Sequence, residues 1–193
     1  MEEHKFIQKL RAGDRGAFNE LVLAHKDAIL NVCYGYVKNA DEAEDLTQEV
    51  FLEVYKTISK FQEQSALSTW MYRIAVSKSL DALKHKKSKK RAAFFEKRTR
   101  SESADLEMEQ KAGDSPDPEA TLEQKQQREF IDHCLMQLAE TQRTAFILSQ
   151  QDGLSYKEIA DVMDKSLSSV ESLVHRSKQS LRKIMTELYR DYF

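Results

Sequence analysis

The sequence predicts an all-α protein, two small helical domains joined by a flexible linker. Three observations predict it. Apolar residues recur at helical spacing through both halves of the chain, and no stretch alternates with period two for long. Five Gly and two Pro among 193 residues are too few for the turns of an all-β chain. One polar segment holding both prolines separates the two apolar-periodic halves.

The first helix spans 14–37, with Phe18, Leu21, Val22, Ile29, Val32, Cys33 and Tyr36 at helical spacing. The second spans 41–59 on Ala43, Leu46, Val50, Phe51, Val54 and Ile58. Asp41 reads as its N-cap, with Glu42 and Glu44 in the first turn. The third spans 68–86, opening at Ser68 and burying Met71, Ile74, Ala75 and Leu83. Residues 101–128 are polar and poor in large apolar side chains, so they cannot offset the entropy of ordering. Pro118 with Glu119 behind it signals a helix start near the end of this stretch. The domain reading is therefore 1–98, a flexible acidic linker 99–128, and 129–193. The second domain carries helices near 120–138, 140–151, 155–163 and 168–188.

A net charge of −2 hides strong blocks. Residues 1–70 carry −4, residues 71–100 carry +9, residues 101–129 carry −6 and residues 130–193 carry −1. The basic block bears on partners, whereas the whole-chain pI does not reveal it. Two cysteines, Cys33 and Cys134, cannot form a disulfide framework and sit in apolar helical contexts, so they read as core thiols in a reducing, cytoplasmic compartment. No apolar run approaches 18 residues and the N-terminus opens acidic, which speaks against a membrane span or a secretory signal. A Gly-rich phosphate loop, HExxH and CxxC are all absent, and the five His are scattered, so neither an enzyme nor a metal or cofactor is expected.

The last forty residues carry the sharpest motif. Ser155-Tyr-Lys-Glu158 is a capping box before a short helix with Ile159, Ala160 and Met163 on one side. Asp164-Lys165-Ser166 breaks it, and Ser168-Ser-Val-Glu171 reads as a second capping box. Two helices joined tightly, the second longer and basic toward its end, form a helix-turn-helix pattern. Val170, Leu173, Val174, Ser177, Leu181 and Ile184 share its core face. Ser168, Ser172, His175, Arg176, Gln179, Arg182 and Lys183 lie opposite, hydroxyls and an Arg first for bases, cations later for phosphates. The bland alternative is a solvated helix in a bundle.

Two further features stand out. Glu42, Asp45, Glu49 and Glu53 form an acidic stripe flanked by Gln48 and Leu52. It reads either as a solvated face or as a docking surface for a basic partner, and it lacks the Glu-x-x-His pairs of a di-metal site. In Lys84-His-Lys-Lys-Ser-Lys-Lys-Arg91 six of eight residues are cationic, close to Phe61, Trp70, Tyr72 and Arg73. Cations with nearby aromatics suit unstacked single strands, although a lysine run at a helix end is also simply solvated.

In this order the features resemble the extracytoplasmic-function (ECF) type of bacterial sigma factor. Asp41-Glu-Ala-Glu-Asp-Leu-Thr-Gln-Glu-Val-Phe51 is similar to that family's polymerase-docking helix. Phe61 through Ser68-Thr-Trp-Met-Tyr-Arg-Ile-Ala75 is similar to its promoter −10 region. Asp152 through Arg176 is similar to its −35-binding helix-turn-helix. The resemblance covers about residues 5–185 and implies roles residue by residue. Asp45, Gln48, Glu49 and Leu52 would meet core RNA polymerase, the acidic helix on a β′ coiled coil, with β as a further contact. Phe61, Trp70, Tyr72, Arg73, Ser77 and Lys84 would serve the −10 element, where residues 61–69 capture a flipped base. Ser168, Ser169, Glu171, Ser172, His175, Arg176 and Gln179 would read the −35 element. The linker would thread the polymerase channel for RNA, and an anti-sigma factor would control a stress response.

The chain departs from the family's usual pattern at three points. Ser77 replaces a common Asn, Leu138-Ala139 replaces Leu-Pro, and Glu171 stands where a basic residue is frequent. Glu171 repels phosphate but can accept from a cytosine amino group, which implies an unusual −35 preference. Two other readings stay open at this stage: a freestanding helix-turn-helix regulator, and a helical adaptor that binds only proteins.

Overall fold

A computed structural model describes residues 2–99, 122–151 and 153–192, and every regular element in them is helical. In chain order these are α1 (Glu2–Arg11), α2 (Arg15–Val37), α3 (Ala40–Thr57), a 3-10 turn (Ile58–Lys60), α4 (Leu67–Thr99), α5 (Leu122–Met136), α6 (Glu140–Ser149), α7 (Tyr156–Met163) and α8 (Leu167–Tyr192). Residues 100–121 of the expected linker, with Pro116 and Pro118, lie outside the described residues, as does Asp152. Helix α5 begins inside the stretch assigned to the linker.

Four local expectations are corrected. Helix α1 was not anticipated; it buries Ile7 and Leu10. The N-cap of α3 is Asn39, whose side chain accepts from the Glu42 N–H at 2.8 Å, so Asp41 sits in the first turn. Helix α4 runs to Thr99, so the cationic run at 84–91 lies within a helix rather than after one. Ser166, not Ser168, accepts from the Ser169 N–H at the start of α8. The first capping box is present: Glu158 N–H donates to Ser155 Oγ, and Ser155 N–H donates back to Glu158 Oε2 at 2.9 Å.

In the first lobe α2, α3 and α4 bury Val32, Cys33, Tyr36, Val50, Val54, Met71 and Ala75 without measurable exposure. Each large apolar side chain so buried contributes about 1.5–3 kcal/mol relative to exposure. In the second lobe Ala145, Leu148, Ile159, Val170 and Val174 form the centre of α6, α7 and α8, and α5 adds Phe130, Cys134 and Leu135. Cys33 and Cys134 are free and buried, and burial pushes both thiols up.

The lobes meet along α2. A Cβ on Gly35 would stand 2.9 Å from Ile147 of α6, so hydrogen is the side chain that lets the helices approach. Beside it, the buried Tyr36 hydroxyl donates to Thr144 Oγ1 at 2.8 Å, and Thr144 donates to the Glu140 carbonyl. Lys38 Nζ lies 2.8 Å from Asp132 Oδ1, and the Tyr34 hydroxyl donates to Asp132 Oδ2 at 2.9 Å. Burial, then the Asp132 charge, pushes the Tyr34 phenol up to about 12.

Two predictions follow from this packing. Ala exceeds Gly by up to about 1 kcal/mol in helix propensity, so Gly35→Ala should stabilise the chain if the contact with Ile147 were loose. The expected result in urea denaturation is instead a net loss of about 1–3 kcal/mol, the range for overpacking. The Ser155 hydroxyl, then its backbone N–H, hold the Glu158 carboxyl below the usual range. A lowered carboxylate contributes stability above its unfolded pKa and loses it as pH falls through the folded one. Ser155→Ala should cost about 1 kcal/mol at neutral pH and flatten the acid side of the stability–pH curve.

Candidate functional site

Three surfaces gather the residues singled out by sequence. The first is the outer edge of α3. The stripe of four carboxylates faces α4 in part, and α4 supplies lysines to it. Lys78 Nζ lies 3.8 Å from Glu49 and 3.6 Å from Glu53, and Lys86 Nζ donates to Glu42 at 2.7 Å. Asp45 has no ion pair among the described residues. Along one edge α3 exposes Asp45, Gln48, Leu52 and Tyr55, spaced three, four and three, with Glu49 alongside. Leu52 and Tyr55 are 57% and 51% exposed, a large apolar presence beside an acid. Tyr55 was missed because the surface signal in this helix was the spacing of its carboxylates, to which a tyrosine adds nothing. Its ring stands edge-on to Phe18 at 5.1 Å, which fixes its direction.

The second surface is the loop 61–66 with the outer face of α4. Trp70, Arg73, Ser77 and Lys84 fall within about 60° on the α4 wheel. Arg73, Ser77 and Lys84 are exposed and Trp70 half-buried. Arg91 continues the row. The Arg73 Nε–H donates to the Asp161 carbonyl of α7 at 2.8 Å, and Lys84 leans toward Asp81 at 3.4 Å. Phe61 and Tyr72 do not join this face. They are 5% and 6% exposed, so neither ring is open to solvent. Phe61 packs under Trp70 with ring centroids 5.0 Å apart and props the indole from below. Tyr72 points off the stripe by about 100° per residue of helix rotation, and burial raises its phenol pKa.

The third surface is the start of α8. Ser168, Ser172, His175 and Gln179 form one exposed row, with Glu171 on one flank and Arg176 on the other. Ser169 is half-buried. A depression of about 260 Å³ opens between Ser166, Ser168, Ser169, Ser172 and Arg176. Val170, Val174 and Ser177 hold the opposite face in the core, as the periodicity requires. Further along, an apolar groove of about 540 Å³ lies between Phe130, Phe146, Leu181, Met185 and Tyr189, rimmed by Lys178 and Arg182. The groove joins residues far apart in sequence, so no local pattern announced it.

Among the described residues no group of three His, Cys, Asp or Glu is placed to hold a metal ion, and no helix is long and apolar enough to cross a membrane.

Known proteins match this arrangement along its length. Residues 21–89 match the sigma-70 region 2 model and residues 128–181 the sigma-70 region 4 model. The chain is 30% identical over 190 residues to the RNA polymerase sigma-H factor of Pseudomonas aeruginosa, covering 98% of this chain and 97% of that one. It is 30% identical over 185 residues to the ECF RNA polymerase sigma factor SigW of Bacillus subtilis, covering 95% and 97%. With the Escherichia coli ECF RNA polymerase sigma-E factor it shares 27% identity over 190 residues, 98% of this chain and 97% of that one. The fold resembles CnrH, solved in complex with the cytosolic domain of CnrY, with a TM-score of 0.69, 17% identity and 96% and 97% of the two chains covered. It also resembles RpoE of Bartonella quintana, solved with the anti-sigma factor NepR, with a TM-score of 0.60, 20% identity and 88% and 96% covered. These sequence relatives are initiation factors rather than known enzymes. With both regions matched and full-length relatives at this identity, the chain belongs to the ECF-type sigma factors, subunits that direct RNA polymerase to promoters.

Proposed function

We propose that the three surfaces act in sequence as polymerase dock, −10 reader and −35 reader. The observation that carries this reading is the adjacency of two unlike stripes on packed helices. Helix α3 exposes Asp45, Gln48, Leu52 and Tyr55, and α4 exposes Trp70, Arg73, Ser77 and Lys84. An acidic edge with apolar side chains suits a basic, partly apolar helix pair, here a coiled coil of β′. Leu52 and Tyr55 supply area, and Asp45 supplies orientation.

The α4 stripe then follows one strand of DNA. Lys84 and Arg91 meet phosphates, which carry no sequence information, and Ser77 and the loop 61–66 meet bases. A base flipped toward that loop recovers its unstacking cost through edge hydrogen bonds and through the indole of Trp70. Phe61 and Tyr72 act from beneath as supports. At α8 the row Ser168, Ser172, His175 and Gln179 enters a major groove, with Glu171 and Arg176 on either side of it. The apolar groove by Phe146 and Met185 takes a segment of β. The two structural neighbours above were solved with protein partners, one named an anti-sigma factor. This supports control of the present chain by a protein that covers the same surfaces.

Run-off transcription with bacterial core polymerase on a promoter library randomised at both elements tests the reading. The wild-type chain should give defined start sites. Asp45→Lys touches no ion pair, so it should leave stability within about 0.5 kcal/mol while lowering core affinity about ten-fold or more. Salt-sensitive duplex binding without any transcript would instead favour a freestanding regulator. In the same selection Glu171→Arg should change the preferred −35 sequence, and an unchanged preference would remove Glu171 from the reading face.

A further inference from the structure

The loop at 61–66 has no glycine or proline, yet it needs an unusual backbone. Glu63 lies at φ 57, in the left-handed region that side-chain-bearing residues rarely occupy. Such a conformation persists where neighbours over-determine it. The neighbours are on α1. One Nη of Arg11 donates to the Phe61 carbonyl at the entry to the loop. Its other Nη lies 2.8 Å from Glu63 Oε1. His4 Nδ1 stands 2.7 Å from Glu63 Oε2. Glu3 Oε1 accepts from the Leu67 N–H at 3.4 Å, where the loop ends and α4 begins. Entry, apex and exit are therefore all tied to one helix.

The matched region 2 starts at residue 21, so it gives α1 no role. We propose that α1 is the positioning element of the loop, with Arg11 and Glu63 as positioning residues that set the shape in which it meets a single-stranded −10 base. This rests on the reading of the loop given above. The geometry favours a shape-setting role over a stabilising one. Arg11 and Glu63 keep about a quarter of their side-chain surface in water, at 25% and 27%, and ion pairs at such sites add little to global stability. The Arg11 Nε is buried without a partner among the described residues, so the guanidinium gives up hydration to stay in place. Meanwhile Gln62 and Gln64 on either side of Glu63 are exposed, and their amides both donate and accept. The clamp thus holds the acid inward and leaves two amides outward for base edges.

The test uses holoenzyme assembled from the full chain and core polymerase, with fluorescent single-stranded oligonucleotides. These carry the −10 sequence found in the run-off selection and each of its single-base substitutions. Wild-type holoenzyme should discriminate among them. Arg11→Ala and Glu63→Gly should each lower the best-to-substituted affinity ratio about five-fold, the size of one misplaced hydrogen bond. Glycine accepts positive φ freely, so in Glu63→Gly the loss reports the missing clamp rather than a forbidden turn. Core affinity, affinity for −35 duplex and the unfolding midpoint should stay at wild-type values. Selectivity kept within two-fold by either variant that folds, or loss of core affinity in both, overturns the assignment to α1. Wild-type holoenzyme that transcribes but shows no selectivity on the oligonucleotides overturns the reading of the loop itself, and the clamp with it.

Discussion

Helix α2 serves two lobes at once because Gly35 leaves space for Ile147. On one side of that point, the buried Cys33 lies against Thr47 of α3 and Ser79 of α4. On the other, the same turn of helix receives α6. The consequence is one contiguous apolar cluster running from Ile7 to Val174. Polar groups finish the seam. The Tyr36 hydroxyl needs a partner once buried, and Thr144 is that partner. Asp132 gathers both Lys38 and Tyr34 at the rim. A side chain on residue 35 would press on Ile147 and strain this seam.

The same economy governs charge. Helix α3 is acidic and α4 is basic, and much of that charge is spent between them. Lys78 and Lys86 face Glu49, Glu53 and Glu42, which lets two oppositely charged helices lie side by side. Exposed pairs of this kind contribute little individually. Their effect is to decide which charges remain for a partner. Asp41, Glu44 and Asp45 remain unpaired on α3 among the described residues, while Lys84 on α4 meets only Asp81 of its own helix. Arg73 has its Nε–H committed to the Asp161 carbonyl of α7, so the row proposed to meet DNA also touches the second lobe.

Most of the fold was legible because helical periodicity survives in the sequence without knowledge of contacts. Val50, Val54, Met71, Val170 and Val174 are buried as their spacing demands. The failures have physical causes. Helix α1 shows fewer than three turns of pattern, too short to stand out. Caps moved by two residues, from Asp41 to Asn39 and from Ser168 to Ser166, because each junction offers several competent side chains. Helix α4 outran its expected end because lysine is a good helix former and no breaker stands before Thr99. At the site, spacing showed which carboxylates share a face, but not that α4 would claim three of them. Aromatics near cations suggested stacking, but spacing did not show that Phe61 and Tyr72 are buried.

A subunit that directs polymerase to promoters acts by placing surfaces, so its precision depends on how rigidly they are joined. Here the proposed dock and the strand-facing row sit on neighbouring helices that share a core of Val50, Val54, Met71 and Ala75. Close-packed interiors of this kind transmit position rather than absorb it. Fixing Asp45 and Leu52 against a partner therefore fixes Ser77 and Lys84 to within the tolerance of that core. Of the proposed reading elements the loop at 61–66 alone has no helix of its own, and its ties run to α1. A loop that reads a single extruded base has few contacts through which to discriminate, so its shape has to be settled before the base arrives. Arg11, His4 and Glu3 supply that constraint from outside the three-helix core, where charge and hydrogen bonding act on the loop without repacking the proposed dock.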